Sequence, residues 1–252
     1  MFNIIDIGGT YLKIYDSHTK DIMRIKMSDE NVIDLHSLRI LIKNNINSHA
    51  DKIYMSCQMH GFVLFDGVNN VSEFITWKKK SDENHIAKIF DTNYFRDITG
   101  LECRNDLPIN NIYDFFETNN MNNRKIHVKN ISEAILDSNL SCTHITMACG
   151  NGFLNIYNNK YCDDFIKLFH ERFKIKLQFD DPIDEFIVNG HFNINDRHIP
   201  VYCGIGDFQA SLMNIRPNEL YINMATGSQI SILTDCVEKN KTMNHRSFFN
   251  KK

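Results

Sequence analysis

The sequence lacks the features that mark nucleic-acid-binding and membrane proteins. Lys and Arg are nowhere concentrated into a basic face, and 28 basic side chains stand against 31 acidic ones, a formal net charge of -3. A phosphate backbone would therefore meet no attractive field. The apolar stretches are far shorter than the ~20 residues that cross a bilayer, and no basic region precedes an apolar one at the start. We expect no nucleic-acid partner, no membrane partner and a cytoplasmic location.

The sequence also lacks a metal-binding or disulfide pattern of cysteines. The 7 cysteines are odd in number and widely spaced, with no CxxC pair and no Cys/His cluster at zinc spacing. We expect them to be reduced and mostly buried. There is no internal repeat and no low-complexity linker. At 252 residues with 42% hydrophobic side chains, the chain can bury a sizeable core in one or two domains.

What is present is an alternation of strand and helix patterns. The opening residues form short β-rich runs joined by turns, which predicts three antiparallel strands. Apolar residues from Val32 to Ile46 then recur at helical spacing, and the strand-like run KIYMSC follows. The polar middle of the chain, residues 82–129, predicts helical insertions around Ile86 to Phe90 and Ile109 to Phe116.

From Ile131 onward the α/β alternation returns. ISEAIL is helix-like, HITMAC and FLNIY are strand-like, and Asp163 to Phe173 predicts a further helix. A buried run, IPVYCGIG, precedes Asp207. The segments YINMATG and QISILT then predict two strands joined through a Thr-Gly turn, and the last residues predict a polar tail without periodicity.

Two glycines in the segment Asp6 to Thr10 follow an apolar strand and allow a tight turn. Their backbone N–H groups could approach a phosphate, the Thr10 hydroxyl could add a donor, and Asp6 could hold a magnesium ion. The same residues would also make an ordinary strand-turn-strand connection, because Gly-Gly is common in hairpins. The sequence leaves both interpretations open at this point.

Two further segments place polar side chains where a strand ends. Gln58, Met59 and His60 follow the run KIYMSC, where α/β folds place ligands. Gln and His can bind hydroxyl groups and Met offers an apolar wall, although a loop with a satisfied histidine is the common alternative. Asp207 precedes the helical pattern FQASLMNI, so it is a candidate helix N-cap, a candidate general base, or both.

The order of these segments resembles that of the FGGY carbohydrate kinases. The chain has DIGGTYLK where the family has a DIGTT phosphate motif followed by Lys, with Gly9 in place of a Thr and Lys13 as the matching Lys. An unchanged QMHG, the Trp77 element ITWKKK, the GIGDFQAS segment around Asp207 and a second phosphate motif, NMATGSQIS, follow in the same order. The resemblance covers essentially residues 3–234 and is closest to the sedoheptulokinase and xylulokinase branch.

The resemblance implies an α/β fold of the ribonuclease-H-like, actin-type ATPase kind, with a mixed sheet and flanking helices. It implies ATP-dependent phosphorylation of a ketose or related sugar, with Mg2+ and ATP as cofactors, a small-molecule sugar as partner and Asp207 as the catalytic base. The implied binding residues are Asp6, Gly8, Gly9, Thr10, Lys13, Thr226, Gly227 and Ser228 for the nucleotide phosphates, Asp6 for the metal ion, and Gln58, Met59, His60, Trp77 and Asp207 for the sugar.

The chain departs from the family pattern in three places. Lys78 to Lys80 follow Trp77 where the family usually has Gln or Asp, and Ile145 stands where sedoheptulokinases carry an Asp. The second lobe, which in the family holds the adenosine, is mostly absent after Thr226. We therefore expect residues 1–222 to be an amino-terminal lobe for sugar and phosphate, and residues 223–252 to be the truncated beginning of a second lobe with a polar tail.

Three functions remain in view from the sequence. The first is a sugar kinase whose missing lobe comes from a second chain or from a longer form of this one. The second is a weakly active or non-catalytic sugar-binding protein, a truncated or split kinase fragment. The third, a ribonuclease-H-type nuclease, is disfavoured because the sequence offers neither a carboxylate cluster for two metal ions nor a basic surface.

Overall fold

The computed structural model describes residues 1–121, 123–223, 229–234 and 243–249. The strands are β1 (Phe2–Ile7), β2 (Tyr11–Asp16), β3 (Ile22–Lys26), β4 (Val32–Ile33), β5 (Lys52–Cys57), β6 (Val63–Phe65), β7 (Phe74–Ile75), β8 (Lys125–Lys129), β9 (Ser138–Asn139), β10 (Cys142–His144), β11 (Leu154–Asn155), β12 (Lys160–Tyr161), β13 (Lys176–Phe179), β14 (Asp181–Ile183), β15 (Val188–Ile194), β16 (Arg197–Tyr202), β17 (Ile205–Gly206), β18 (Leu220–Asn223) and β19 (Gln229–Ile232). The helices are α1 (Leu35–Asn45), α2 (His85–Ile89), α3 (Thr92–Thr99), α4 (Pro108–Thr118), α5 (Ile131–Ala134), α6 (Ile145–Ala148), α7 (Asp163–Phe173) and α8 (Asp207–Ser211).

An 8-stranded mixed sheet organises the chain, in the order β3-β2-β1-β5-β16-β15-β9, with β17 also paired to β5. The first three strands are antiparallel neighbours, as the alternation of short runs and turns predicts. Strands β1, β16 and β17 run parallel to β5, and a parallel pair requires a crossover connection, which here contains α1. The predicted α/β fold with a mixed sheet and flanking helices is confirmed.

The crossover helix α1 is shorter than its apolar pattern. Asp34 caps it by accepting a hydrogen bond from the His36 N–H at 2.9 Å, so the helix begins at Leu35. Val32 and Ile33, at the start of the same apolar pattern, instead form β4 and pair with β7. Leu35, Leu38 and Ile42 are the buried positions of the helix, and they belong to the core that covers the central sheet.

A second hydrophobic core, rich in aromatic rings, packs together the elements from β6 to β13. Helix α7 has the predicted bounds because Phe165, Phe169 and Phe173 recur every four residues and are all buried. Phe169 and Phe173 pack against the rings of Tyr113 and Phe116 on α4. Phe165 packs against Phe95 of α3. The helical insertions predicted for residues 82–129 are confirmed as α2 and α4, with α3 between them.

The segment HITMAC is not the strand that its composition suggests. The strand β10 ends at His144, whose side chain accepts a hydrogen bond from the Thr146 N–H at 3.3 Å and so caps α6. The Thr146 hydroxyl in turn accepts from the Gly206 N–H at 3.0 Å. The prediction is wrong because this local cap turns the chain, and the turn supports the end of β17.

The described residues also bear on membrane crossing and on the state of the cysteines. Within the described ranges, no helix is both long enough and apolar enough to cross a bilayer. The six cysteines in the described part of the chain are free, and four of them, Cys57, Cys142, Cys149 and Cys203, are buried.

Candidate functional site

Three strand ends meet at one edge of the central sheet. Ile7, Cys57 and Gly206 are the last residues of β1, β5 and β17, and the pairing register places them side by side. The three strands are parallel, so the segments that follow them emerge at the same edge. The sheet therefore brings together the turn after Ile7, the segment Gln58 to Gly61, and Asp207, as the sequence predicts.

The turn after β1 is closed by a hydrogen bond from the Gly8 N–H to the Tyr11 carbonyl, at 3.0 Å. Asp6 and Lys13 face each other across β1 and β2, and Lys13 Nζ lies 2.8 Å from Asp6 Oδ2. The Ser56 hydroxyl donates to the other oxygen, Asp6 Oδ1, at 3.3 Å. The candidate metal ligand and the candidate phosphate-binding lysine therefore form one ion pair at the mouth of the turn.

Trp77 packs directly on this turn. A Cβ atom added to Gly9 would lie 2.5 Å from Trp77 Nε1 and 3.2 Å from Cε2, while 45% of the tryptophan remains exposed. The lysine that follows, Lys78, turns away and pairs with Asp29 at 3.4 Å. The Trp77 element and the turn after β1 are thus in contact, a relationship that their separation in sequence does not indicate.

The segment Gln58 to Gly61 presents two buried hydrogen-bond acceptors. Gln58 is 1% exposed, and its Nε2 donates to the Gly8 carbonyl at 3.4 Å while its Oε1 has no partner among the described residues. His60 Nδ1 lies 2.6 Å from the Gly150 carbonyl. That oxygen only accepts, so Nδ1 carries the proton and Nε2 has the lone pair. His60 Nε2 is also buried without a partner in the described chain.

His60 is neutral in this environment. Burial, helped by the positive charge of Arg246, lowers its pKa from 6.5 to about 3. A neutral imidazole with one proton committed to Gly150 can only accept at Nε2. Together with Gln58 Oε1, it suits a ligand that carries hydroxyl donors.

Asp207 is the first residue of α8, and Gly206 occupies the N-cap position. The predicted N-cap role is therefore wrong: no side-chain cap bond forms, and Asp207 Oδ1 instead accepts from the next N–H, that of Phe208, at 2.8 Å. Burial, helped by the negative charge of Asp6, raises the pKa of Asp207 from 3.8 to about 6. The carboxylate is thus a proton acceptor near neutral pH.

Gln209, Ser56 and Gly150 also contribute to this edge, although they are not among the predicted site residues. Gln209 is 1% exposed; its Oε1 has no partner among the described residues and lies near Met59, since a Cβ on Gly206 would meet both side chains. Ser56 and Gly150 hold Asp6 and His60 in place. Gln209 follows Asp207 by two residues in the run DFQAS, so its place in that segment was the signal that could have identified it.

The described C-terminal residues 243–249 also pack against this edge. Arg246 Nη1 lies 3.6 Å from Met59 Sδ, and its guanidinium lies 5.6 Å from the ring centre of Phe208. The Gln209 Nε2 donates to the Ser247 carbonyl at 3.3 Å. A cavity of about 720 Å3 lies between this segment, α8 and β19. The polar composition of the segment gives no indication of this contact.

The remaining predicted residues can be placed only in part. Thr10 is exposed in the turn beside Gly9, and its carbonyl accepts from the Met27 N–H at 2.9 Å. Thr226, Gly227 and Ser228 lie outside the described residues. Asp6 near the end of β1 and Asp207 at the start of α8 offer carboxylate oxygens at this edge of the sheet, and carboxylate oxygens are ligands that Mg2+ prefers.

Solved structures with the same arrangement of elements include several kinases. A glycerol kinase from Plasmodium falciparum solved with ADP matches with a TM-score of 0.70 at 14% identity, over 91% of this chain and 54% of that one. A xylulose kinase from Rhodospirillum rubrum matches with a TM-score of 0.73 at 14% identity, over 95% and 56%. The chain has the sugar-kinase fold. A gluconate kinase from Lactobacillus acidophilus matches at 0.66 and 17% identity, over 91% and 53%.

The similarity to these kinases is one of fold, and it covers only part of their length. This chain spans about half the length of the kinases that it matches, 53% to 56% in these three cases. No family model and no curated protein matches the sequence. These structural matches show that the chain shares the fold of the kinases.

Proposed function

We propose that the chain is the sugar-holding lobe of an ATP-dependent sugar kinase, acting on a ketose or related sugar. The observation that carries the proposal is the grouping of buried acceptors around Met59. Gln58 Oε1, His60 Nε2 and Gln209 Oε1 are buried and have no partner in the described chain. A buried acceptor without a partner is costly, and the hydroxyl groups of a sugar are the donors that would satisfy all three.

Asp207 takes the proton from the attacking hydroxyl. Its pKa of about 6 leaves it mostly ionised at neutral pH yet basic enough to share a proton, the compromise that a general base needs. The first position of α8 also puts the carboxylate at the positive end of a short helix. The acceptors around Met59 hold the other hydroxyls and so orient the attacking one.

The phosphate side is formed by the turn Gly8 to Thr10, with Lys13 and Asp6. Lys13 lies within hydrogen-bond distance of Asp6, so it is held at the turn and can compensate phosphate charge. When bound, Mg2+ and ATP supply the transferable phosphoryl group and neutralise its developing charge. We assign Thr226, Gly227 and Ser228 to the same phosphates on the resemblance alone.

A second actin-type lobe would complete the site. The strands β18 and β19 pair Leu220 with Ile232 and Ile222 with Ile230, which places four aliphatic side chains on one face. Each of them is between 46% and 64% exposed. An apolar patch of this kind marks an interaction surface. The matching kinases extend over nearly twice this length, so we propose that a further lobe, on a second polypeptide or a longer form of this chain, covers it.

The alternative is a sugar-binding protein with little or no catalysis. It would keep the acceptors around Met59 and bind the nucleotide too weakly for transfer, because nucleotide affinity needs a well-formed apolar slot for adenine. Separate calorimetric titrations of the 252-residue chain with sugar and with magnesium-ATP distinguish a half-built site from a self-sufficient kinase. A half-built site binds sugar with ordinary affinity and magnesium-ATP very weakly; sub-millimolar ATP binding would instead show a self-sufficient kinase.

The base assignment is tested with Asp207→Asn. We expect phosphoryl transfer to be lost while the Kd for sugar stays within a few-fold, because the amide keeps the shape but cannot accept the proton. Asp163→Asn is the matched control, since Asp163 is also the first residue of a helix, α7. Parental turnover by the Asp207 variant would show that another group is the base.

The proposal of a further lobe can be tested on the gene. A reading frame that continues beyond Lys252, or an adjacent one, should encode a strand-rich segment with an adenosine-binding region. Mixing that product with this chain should restore transfer, and Ile222→Lys together with Ile230→Lys should prevent the restoration. If the two lobes combine equally well after these changes, the apolar face is not the contact.

A further inference from the structure

A cluster of metal-ligating side chains lies outside the site described above, where α2 meets α4. His85 is the first residue of α2, and Asp114 and Glu117 lie three residues apart on α4. His85 Nε2 is 2.6 Å from Asp114 Oδ1. One ligand atom from each of the three residues lies within 4.8 Å of the other two. Residues three apart share one side of a helix, so α4 presents both carboxylates toward His85.

The surroundings of the cluster are negatively charged. A cavity of about 570 Å3 beside it is lined by four carboxylates, those of Asp82, Glu83, Asp114 and Glu117, and by a single lysine, Lys79. Glu83 and Glu117 have partners of their own in Lys88 and Arg172. The pair of Glu117 with Arg172 is 3.4 Å long and exposed, and such a pair is weak. A cation entering the cavity therefore meets a favourable field.

A buried amide oxygen beside the cluster is without a partner. Asn111 is 3% exposed, lines the same cavity and precedes Asp114 by one helical turn. Its Nδ2 donates to the Lys79 carbonyl at 3.1 Å, whereas its Oδ1 has no hydrogen bond within the described residues. Amide oxygens bind metal ions directly or accept from metal-bound water. The unpartnered Asn111 oxygen supports a cation site independently of the surrounding carboxylate charges.

We propose that His85, Asp114 and Glu117 bind a divalent transition-metal ion such as Zn2+ or Mn2+, with Asn111 Oδ1 as a ligand or as an acceptor for bound water. The imidazole selects this class, because Mg2+ and Ca2+ prefer sites made only of oxygen. Metal–nitrogen and metal–oxygen bonds of about 2.0–2.2 Å need the His85 and Asp114 atoms to separate only slightly. The His85 ring is already held by stacking on Tyr113, with centroids 4.4 Å apart at 20°.

The ion has a structural role toward the Trp77 loop. Asn111 holds the Lys79 carbonyl, and Ile75 and Lys79, which flank Trp77, line the same cavity. A metal ion that ties α2 to α4 therefore braces the loop that places Trp77 on the phosphate turn. The site is separate from Asp6 and does not depend on the proposed kinase activity.

The test uses the full chain freed of metal with a chelator and titrated with Zn2+, Mn2+ or Mg2+. We expect Zn2+ and Mn2+ to bind one ion per chain in calorimetry and to change the fluorescence of the single tryptophan, and Mg2+ to do neither at the same concentration. Loss of a ligand should weaken binding strongly, so His85→Gln and Glu117→Gln should each raise Kd by ~10-fold or more.

Asp82→Asn is the matched control, because it removes a charge from the same cavity without removing a ligand. We expect it to raise Kd by no more than about 3-fold, since a screened surface charge contributes little. An equal increase in Kd for all three variants would show that cations are attracted only by the overall negative charge of the cavity, and it would overturn the site. Binding that survives His85→Gln would place the ion elsewhere, for example at the His191 and His198 rings, whose centroids are 4.9 Å apart. Absence of Zn2+ and Mn2+ binding would reduce the cluster to a hydrogen-bonded pair.

Discussion

The indole of Trp77 lies so close to Gly9 that a Cβ on Gly9 would sit 2.5 Å from Trp77 Nε1. The backbone at Gly9 is not in the left-handed region that demands glycine, unlike that of Gly67, Gly100 and Gly152. Glycine is therefore favoured at position 9 by the neighbouring indole and not by the turn itself. The FGGY motif that this segment resembles has a Thr at this position.

Gly9→Thr should destabilise the chain by ~1–3 kcal/mol, the usual cost of forcing extra atoms into a packed contact. Urea unfolding followed by circular dichroism measures it. In the background of Trp77→Ala the same change should cost much less, with a coupling of about 0.5–3 kcal/mol. Additive effects of the two substitutions would show that the indole does not exclude the side chain.

Sugar phosphorylation should depend on pH through Asp207. The base acts only when ionised and burial raises its pKa to about 6, so kcat/KM should rise with pH and level off above this value. A lobe-completed enzyme is needed for the measurement. A profile that is flat from pH 5 to 8 would contradict the assignment of this carboxylate.

Arg246→Gln should move that midpoint to higher pH. The positive charge of Arg246 lowers the pKa of Asp207, so its loss makes the carboxylate hold its proton more tightly. Arg216→Gln is the matched control because Arg216 is exposed and pairs with Glu219. A midpoint that stays in place would show that the C-terminal segment does not influence the base.

His60→Asn should reduce stability more at pH 8 than at pH 5. The pKa of His60 is lowered to about 3 by burial, so its contribution is present above the ordinary value of 6.5 and is lost as pH falls. Asn tolerates the positive φ of 60° at this position, so no new backbone strain confuses the result. Unfolding free energies at the two pH values provide the test, and an equal loss at both would contradict it.

Glu133→Gln should become increasingly favourable relative to the parent chain as pH rises from 5 to 8. Burial, reinforced by the charge of Asp180, raises the pKa of Glu133 above 4.5. An acid with a raised pKa in the folded state loses stability as pH rises, because the unfolded chain ionises first. Glu171→Gln, on the exposed side of α7, is the control and should show no such trend.

The sequence predicted the parts of the molecule whose formation is local. Turns between β-rich runs predicted the first three strands, and the helix predicted from Asp163 to Phe173 is α7. It also predicted which segments form the candidate site, because polar residues directly after buried strands emerge at one edge of a parallel sheet. Where a polar side chain made an unforeseen local bond, as His144 does in capping α6, the prediction failed.

Only the tertiary structure decided which of these residues touch and how they titrate. The contact of Gly9 with Trp77, the unpartnered acceptors around Met59 and the packing of Arg246 on Phe208 join positions far apart in sequence. Periodicity reports which side of one element is buried, but not which element covers it. The raised pKa of Asp207 also depends on the tertiary structure. Burial and the negative charge of Asp6 act on this carboxyl only when separate strands lie side by side.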